Sequence, residues 1–317
     1  MRNIYSNIIE MNRKSLIKIE KILTRSQIIA LPTETVYGLA GNAYSNSAVK
    51  KIYKIKRRPK KNPVILHYYN LSIAENDFHY DKTFLKLYKK FCPGPITFIV
   101  RRKKNSRISN HAYSRLDTIA VRFPKHKKIR ILLKKLKFPL AMPSANLSGR
   151  VSPTSPKDVI DEFKNKIKVV NGGQCRVGVE STVIDVTGKI KILRPGAINS
   201  IDINRILGKK ISFSRGGKKI KSPGNLGRHY SPGIPVILNA KKKLKGCAFI
   251  VLGKVRKNDK DTFSLSLNAN LSEAAKNLYK TLRKIKKLNY KKICVMKIPN
   301  KKLGIAINDR LKRAAIK

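Results

Sequence analysis

Leu31-Pro32-Thr33-Glu34-Thr35-Val36-Tyr37-Gly38-Leu39 is the stretch whose reading decides the fold. It follows a short apolar run at residues 28–31 and leads, through Lys56-Arg57-Arg58-Pro59, to Asn62-Pro63-Val64-Ile65-Leu66-His67. Two strand-like runs therefore bracket hydroxyls, a guanidinium fork and one imidazole. A strand end, a loop, a helix and a second strand would gather those polar groups where the elements meet. That is how an α/β protein builds a site for an anionic ligand. If the backbone stays extended past Pro32, Thr33 and Thr35 point the same way.

Outward from this stretch the pattern repeats. Residues 47–56 read as a helix capped by Ser47, with Val49, Ile52, Tyr53 and Ile55 apolar. Lys56 and Arg58 close it. Cations there complement the helix dipole, but beside a strand that ends in His67 they also suit a triphosphate. Thr118 to Pro124 reads as a strand with Thr118, Ala120 and Arg122 on one face. A buried Arg needs an anion, and a ligand carboxylate or phosphate is preferred here to a structural ion pair. Residues 140–149 read as a short strand breaking into a turn with Ser144 and Asn146 on one side; Thr154 follows. Glu180-Ser181-Thr182-Val183 opens a further strand, and Arg194-Pro195-Gly196 ends another. No one of these strand ends is specific; their convergence is what marks a site.

The bulk numbers fit two domains in 317 residues, and 41% hydrophobic content supports a packed core rather than disorder. No apolar run has the length of a membrane span, and the basic N-terminus lacks an h-region, so the chain reads as cytoplasmic with no membrane partner. Cys92, Cys175, Cys247 and Cys294 form no CxxC; a zinc site and a disulfide framework are not expected. Lys plus Arg number 72 against 17 Asp plus Glu, a net charge of +55. The excess is spread along the chain beside abundant Ile and Asn, which fits compositional drift better than a dedicated polyanion surface. Direct contact with RNA is left open.

A domain boundary is expected after a short helix at residues 199–207, giving segments 1–208, 209–234 and 235–317. The middle segment is proline-flanked, with Ser222-Pro223-Gly224 and Arg228-His229-Tyr230-Ser231-Pro232, and should dock rather than float. From residue 235 strands alternate with helices. Residues 270–288 form the clearest helix, opened by a capping-box-like Asn270 and Glu273.

Taken together, Pro32-Thr33-Glu34-Thr35-Val36-Tyr37-Gly38, Lys56-x-Arg58-Pro59, Ala120-Val121-Arg122-x-Pro124, Pro143-Ser144-Ala145-Asn146-x-Ser148-Gly149, Glu180-Ser181-Thr182-Val183-Ile184-Asp185 and Arg194-Pro195-Gly196 resemble the motifs of the YrdC-type threonylcarbamoyl-AMP synthases. The linker and tail resemble the long, two-domain form of that family. The resemblance implies a twisted, open mixed sheet with a concave basic cavity, and a smaller Rossmann-like α/β C-terminal domain. It implies that L-threonine, bicarbonate and ATP, with Mg²⁺, give threonylcarbamoyl-AMP and pyrophosphate. A separate transferase would consume that product in modifying tRNA adenosine.

Carried over from the motifs, Lys56 and Arg58 would be catalytic and neutralise the triphosphate. Thr35, His67, Arg122, Ser144 and Ser181 would contact L-threonine. Asn62, Thr118, Asn146, Thr154, Arg194 and Tyr230 would line the ATP side. No residue would hold a metal. Two departures stand out: Gly227 replaces the aromatic that relatives carry before Arg-His-Tyr, and Lys286 stands where they tend to carry an acid. A competing reading, an RNA-binding protein without chemistry, would call for stacking aromatics. Aromatics are 7% of the chain and Trp is absent. Carbamoyltransferases of hydrogenase maturation hold a similar domain, but with added modules that find no counterpart here.

Overall fold

A computed structural model describes residues 6–214, 229–255 and 259–316. Ser222-Pro223-Gly224, Gly227 and Arg228 lie outside the described residues. Among those described, the first 214 residues build a 12-stranded mixed sheet and the remainder a separate 4-stranded one.

The strand pair that brackets the opening stretch is antiparallel. Ile29–Leu31 runs against Gly38–Asn42, with Leu31 opposite Gly38, so residues 32–37 form the loop at its tip. A Cβ on Gly38 would stand 2.4 Å from Met142 Cγ, so only glycine lets that strand close on its neighbour. The next helix is Asn46–Lys56. Its cap is Ser45, not Ser47, and Arg57 stops it in the left-handed region at φ 50°. Two serines flank the first turn, and only packing chooses between them.

The centre of the sheet sets the site. Ile65–His67 lies parallel to Thr118–Arg122, and His67 is opposite Arg122. Arg122 is in turn opposite Thr97 of the antiparallel strand Ile96–Arg102. Ile96 meets Thr182 of Thr182–Asp185, and Val183 meets Arg194, the last residue of Lys191–Arg194. Strands of opposite direction thus deliver their polar ends to one row. On the same face, Ile65, Ile99, Ala120, Val183 and Leu193 form a small apolar floor.

The second sheet is all parallel: Val236–Ile237, Lys292–Val295, Cys247–Val251 and Thr262–Ser264, in that order across it. Helix Leu271–Lys287 buries Ala274, Ala275, Leu278, Leu282 and Ile285 against it. Asn270 caps that helix, but Glu273 turns aside to accept from Ser266 Oγ at 2.6 Å, so the reciprocal box does not close. Helix Leu303–Ala314 ends the domain.

The two sheets meet through helices. Gly178, at φ +81°, sits so close to helix Leu271–Lys287 that a Cβ would stand 2.4 Å from Lys276 Cα. Arg283 donates to the Val151 carbonyl and to Glu162, and Lys287 pairs with Asp161.

Candidate active site

A narrow cleft opens over the apolar floor. Its wall includes Arg58, His67, Arg122, Ser144, Ser181, Arg194 and Tyr230, each a site residue expected from the sequence. Thr33, Glu180 and His229 also line it. These three lie in the same motifs and linker, though the motifs assign them no ligand contact.

On one side stands a buried ion pair. Arg122 Nη2 meets Glu34 Oε1 at 2.8 Å, and Glu34 Oε2 accepts from the Lys125 backbone at 3.0 Å. Burial alone would raise the Glu34 carboxyl, but the Arg122 guanidinium outweighs it and holds it below the usual range. The structural ion pair is therefore present, where the strand pattern favours a ligand anion. Arg122 still keeps a buried Nε with no partner among the described residues. His67, behind it, has Nδ1 3.2 Å from the Ile65 carbonyl, an approach that requires an N–H there. Burial, with Arg122 nearby, pushes its pKa well down and keeps the ring neutral.

The loop is a turn rather than extended chain. Thr33 Oγ1 donates to the Val36 carbonyl at 2.6 Å and accepts from the Thr35 and Val36 amides at 3.1 and 3.2 Å. So Thr33 faces the cleft. Thr35 lies fully buried behind it, hydroxyl to hydroxyl at 2.8 Å.

Arg58 is fixed by its own loop. Its Nε donates to the Asn62 carbonyl at 2.9 Å, and Nη2 to Asn62 Oδ1 and the Pro63 carbonyl at 2.7 and 2.6 Å. Lys56 does not reach the cleft wall. Its ammonium donates to the Ser144 and Asn146 carbonyls, and burial, then Arg58, drives its pKa well down. Asn62 and Asn146 stand behind the wall too, and each keeps one buried side-chain atom unpartnered, Nδ2 and Oδ1 respectively. Thr154 spends its amide and hydroxyl on Asp158 at the start of helix Pro156–Phe163. Thr118 sits at the far end of the strand that delivers Arg122, so alternation aligned its direction but not its distance.

The other side of the cleft is shared between the sheets. Ser181 Oγ is 2.8 Å from Thr97 Oγ1, and Arg194 Nη2 donates to the Ser181 carbonyl and Oγ at 3.0 and 3.2 Å. Glu180 Oε1 accepts from Ser152 at 2.7 Å; its Oε2 accepts from Tyr279 and Arg310 of the second domain, each at 2.8 Å. Burial alone would raise this carboxyl, yet Arg310 and Arg194 hold it down at about 2. Tyr230, at φ 63°, is stacked against Tyr279 with 5.9 Å between ring centroids, and Arg310 lies 5.2 Å over its ring. Burial lowers the pKa of the neighbouring His229 to about 3. Ser231 then donates to the Gly149 carbonyl at 2.8 Å, which anchors the described end of the linker.

Three guanidiniums and two pinned carboxylates around a narrow cleft suit an anionic substrate with a polar, zwitterionic partner. Comparisons with known proteins agree. The sequence family described as "Telomere recombination" (Sua5, YciO and YrdC) matches residues 21–196, and the one described as "Threonylcarbamoyl-AMP synthase, C-terminal domain" matches residues 198–316. The threonylcarbamoyl-AMP synthase of Pyrococcus abyssi is 35% identical, over 92% of each chain. That of Bacillus subtilis is 34% identical, over 93% of this chain and 91% of its own. The crystal structure of P. abyssi Sua5 complexed with L-threonine superposes with a TM-score of 0.89 at 31% identity, covering 97% of both chains. E. coli YciO, at 22% identity and a TM-score of 0.53, shares the fold of the first domain. The chain therefore belongs to the Sua5–YciO–YrdC family, in the two-domain form that carries the threonylcarbamoyl-AMP synthase C-terminal domain.

Proposed function

We propose that this chain joins L-threonine, bicarbonate and ATP into threonylcarbamoyl-AMP, releasing pyrophosphate and water, as the donor for tRNA adenosine modification by a separate transferase. The observation that carries this reading is the convergence of Arg58, His67, Arg122, Ser144, Ser181 and Arg194 on one cleft, in a chain whose relatives bear that enzyme's name.

The chemistry needs positioning more than a nucleophile. The threonine amine attacks bicarbonate to form a carbamate with loss of water. A carbamate oxygen then attacks the α-phosphorus, and pyrophosphate leaves. Arg122, pinned by Glu34, would offer its remaining donors to the threonine carboxylate, giving its orphaned Nε a partner. His67 and Ser144 would hold the amine side, and Thr33, whose hydroxyl is spent on Val36 and Thr35, would keep the turn in shape beside the substrate. Arg58, held rigid by Asn62 and Pro63, would meet the phosphates, with Arg194 and Tyr230 on the nucleotide side. Lys56 would act from behind the wall, by fixing the Ser144 and Asn146 backbone. Both cleft carboxylates are tied to arginine, so Mg²⁺ would arrive as part of its ATP complex, on phosphate oxygens, where it neutralises charge.

The test is incubation with ATP, Mg²⁺, labelled bicarbonate and L-threonine. A labelled acyl-adenylate and pyrophosphate should form only when threonine is present. Label uptake or pyrophosphate release that ignores threonine would overturn the proposal.

A further inference from the structure

We propose that Arg310, on the closing helix of the second domain, is a positioning residue that sets the ATP half of the cleft without touching it; the inference rests on the functional reading above. Its side chain is fully buried. Nε donates to Glu180 Oε2 at 2.8 Å, Nη1 donates to the Pro195 carbonyl at 2.7 Å and to Asp309 Oδ2 at 2.8 Å, and Cζ lies 5.2 Å over the centre of the Tyr230 ring. Glu180 immediately precedes Ser181, and Pro195 immediately follows Arg194. One fork therefore grips the two chain segments that deliver Ser181 and Arg194, while its face supports Tyr230.

Those segments have no slack. A Cβ on Gly196 would stand 2.4–2.5 Å from Thr182 N, Glu180 O and Ser181 C. A shift at Pro195 is therefore passed to Ser181, and from there to Arg194 through their hydrogen bonds. Stability alone gives little reason for this choice. A buried guanidinium is costly to desolvate, and Arg310 Nη2 lacks a partner among the described residues. A packed apolar side chain would join the domains as well. What it could not do is direct two donors and a planar cation at fixed angles, and lysine could not do so either.

The experiment measures binding of Mg²⁺·ATP alone and of L-threonine alone by calorimetry, beside melting temperature. The proteins are wild type, Arg310→Lys and the double variant Glu180→Gln/Arg310→Met, which leaves no lone buried charge. Both variants should weaken ATP at least tenfold and L-threonine by at least threefold less than that, since Arg194 and Tyr230 both serve the nucleotide, while the threonine side keeps His67, Arg122 and Ser144 and loses only the placement of Ser181. Folded variants whose two constants stay within twofold of wild type, or weaken by the same factor, overturn the inference while leaving the functional reading intact. A wild-type protein that binds neither ligand sinks both.

Discussion

Two buried Glu–Arg pairs face the same cleft, and they are built differently. Glu34 and Arg122 both belong to the first domain, 88 residues apart, and the pair joins a loop to a strand of one sheet. Glu180 and Arg310 are 130 residues apart and join two domains. The first pair is settled once the large sheet forms. The second exists only while the C-terminal domain is docked. One half of the cleft is thus intrinsic to its fold and the other conditional on assembly, so the two halves should respond separately to mutation.

The sharpest way to separate them is to remove Glu34. Glu34→Ala leaves Arg122 buried without its counter-charge, and should cost about 3–5 kcal/mol in denaturant-induced unfolding of the first domain. A loss below about 1 kcal/mol, within the range of exposed pairs, would mean that Arg122 is well solvated and the halves are not so different.

Acid acts on both halves, because burial holds His67 and His229 neutral alike, but only the share of His229 depends on docking. His229 has its folded pKa lowered from 6.5 to about 3, so the unfolded chain binds its proton more readily. The stabilisation is full above pH 6.5 and is lost as pH falls from there toward 3. By pH 5 that amounts to about 2 kcal/mol. The carboxyl of Glu180, lowered from 4.5 to about 2, adds its own loss only below pH 4.5. Calorimetric melting between pH 7 and 5 should show the decline in wild type and a flatter profile in His229→Asn. A decline in His229→Asn as steep as in wild type would place residues 229–231 outside the cooperative unit.

The smallest effect belongs to the rim of the domain contact. Lys287 and Asp161 pair at 2.6 Å but are 61% and 33% exposed. Lys287→Ala should cost no more than about 0.5 kcal/mol and leave ATP affinity within twofold. A tenfold loss of affinity would shift the weight of docking from the buried node to the rim.

Much of the cleft could be read from the chain because its wall is made of strand ends. Ser181, Arg194, His67 and Arg122 each sit where an apolar run meets a polar group, and such junctions are visible locally. What was hidden depended on distance or on a bend. Thr33 lines the cleft and Thr35 does not, because the chain turns at Thr33, whereas alternation puts both hydroxyls on one side. Lys56 ends its helix as expected, yet packing folds the 144–146 loop over its ammonium. Thr118 shares a face with Arg122 but lies a strand length away. Arg310 offered no signal. It is one cation among 72, on an ordinary amphipathic helix, and its meaning comes from a carboxylate in another domain.

Gly178 adds a mechanical corollary. There the two domains touch main chain to main chain, with no side chain between them to repack. A single methyl group at that position would act as a wedge at a hinge. It would lie outside every ligand contact, yet it would pry the guanidinium of Arg310 away from Glu180. Such a change would be scored as a defect in nucleotide binding, although it leaves the nucleotide's own contacts chemically intact.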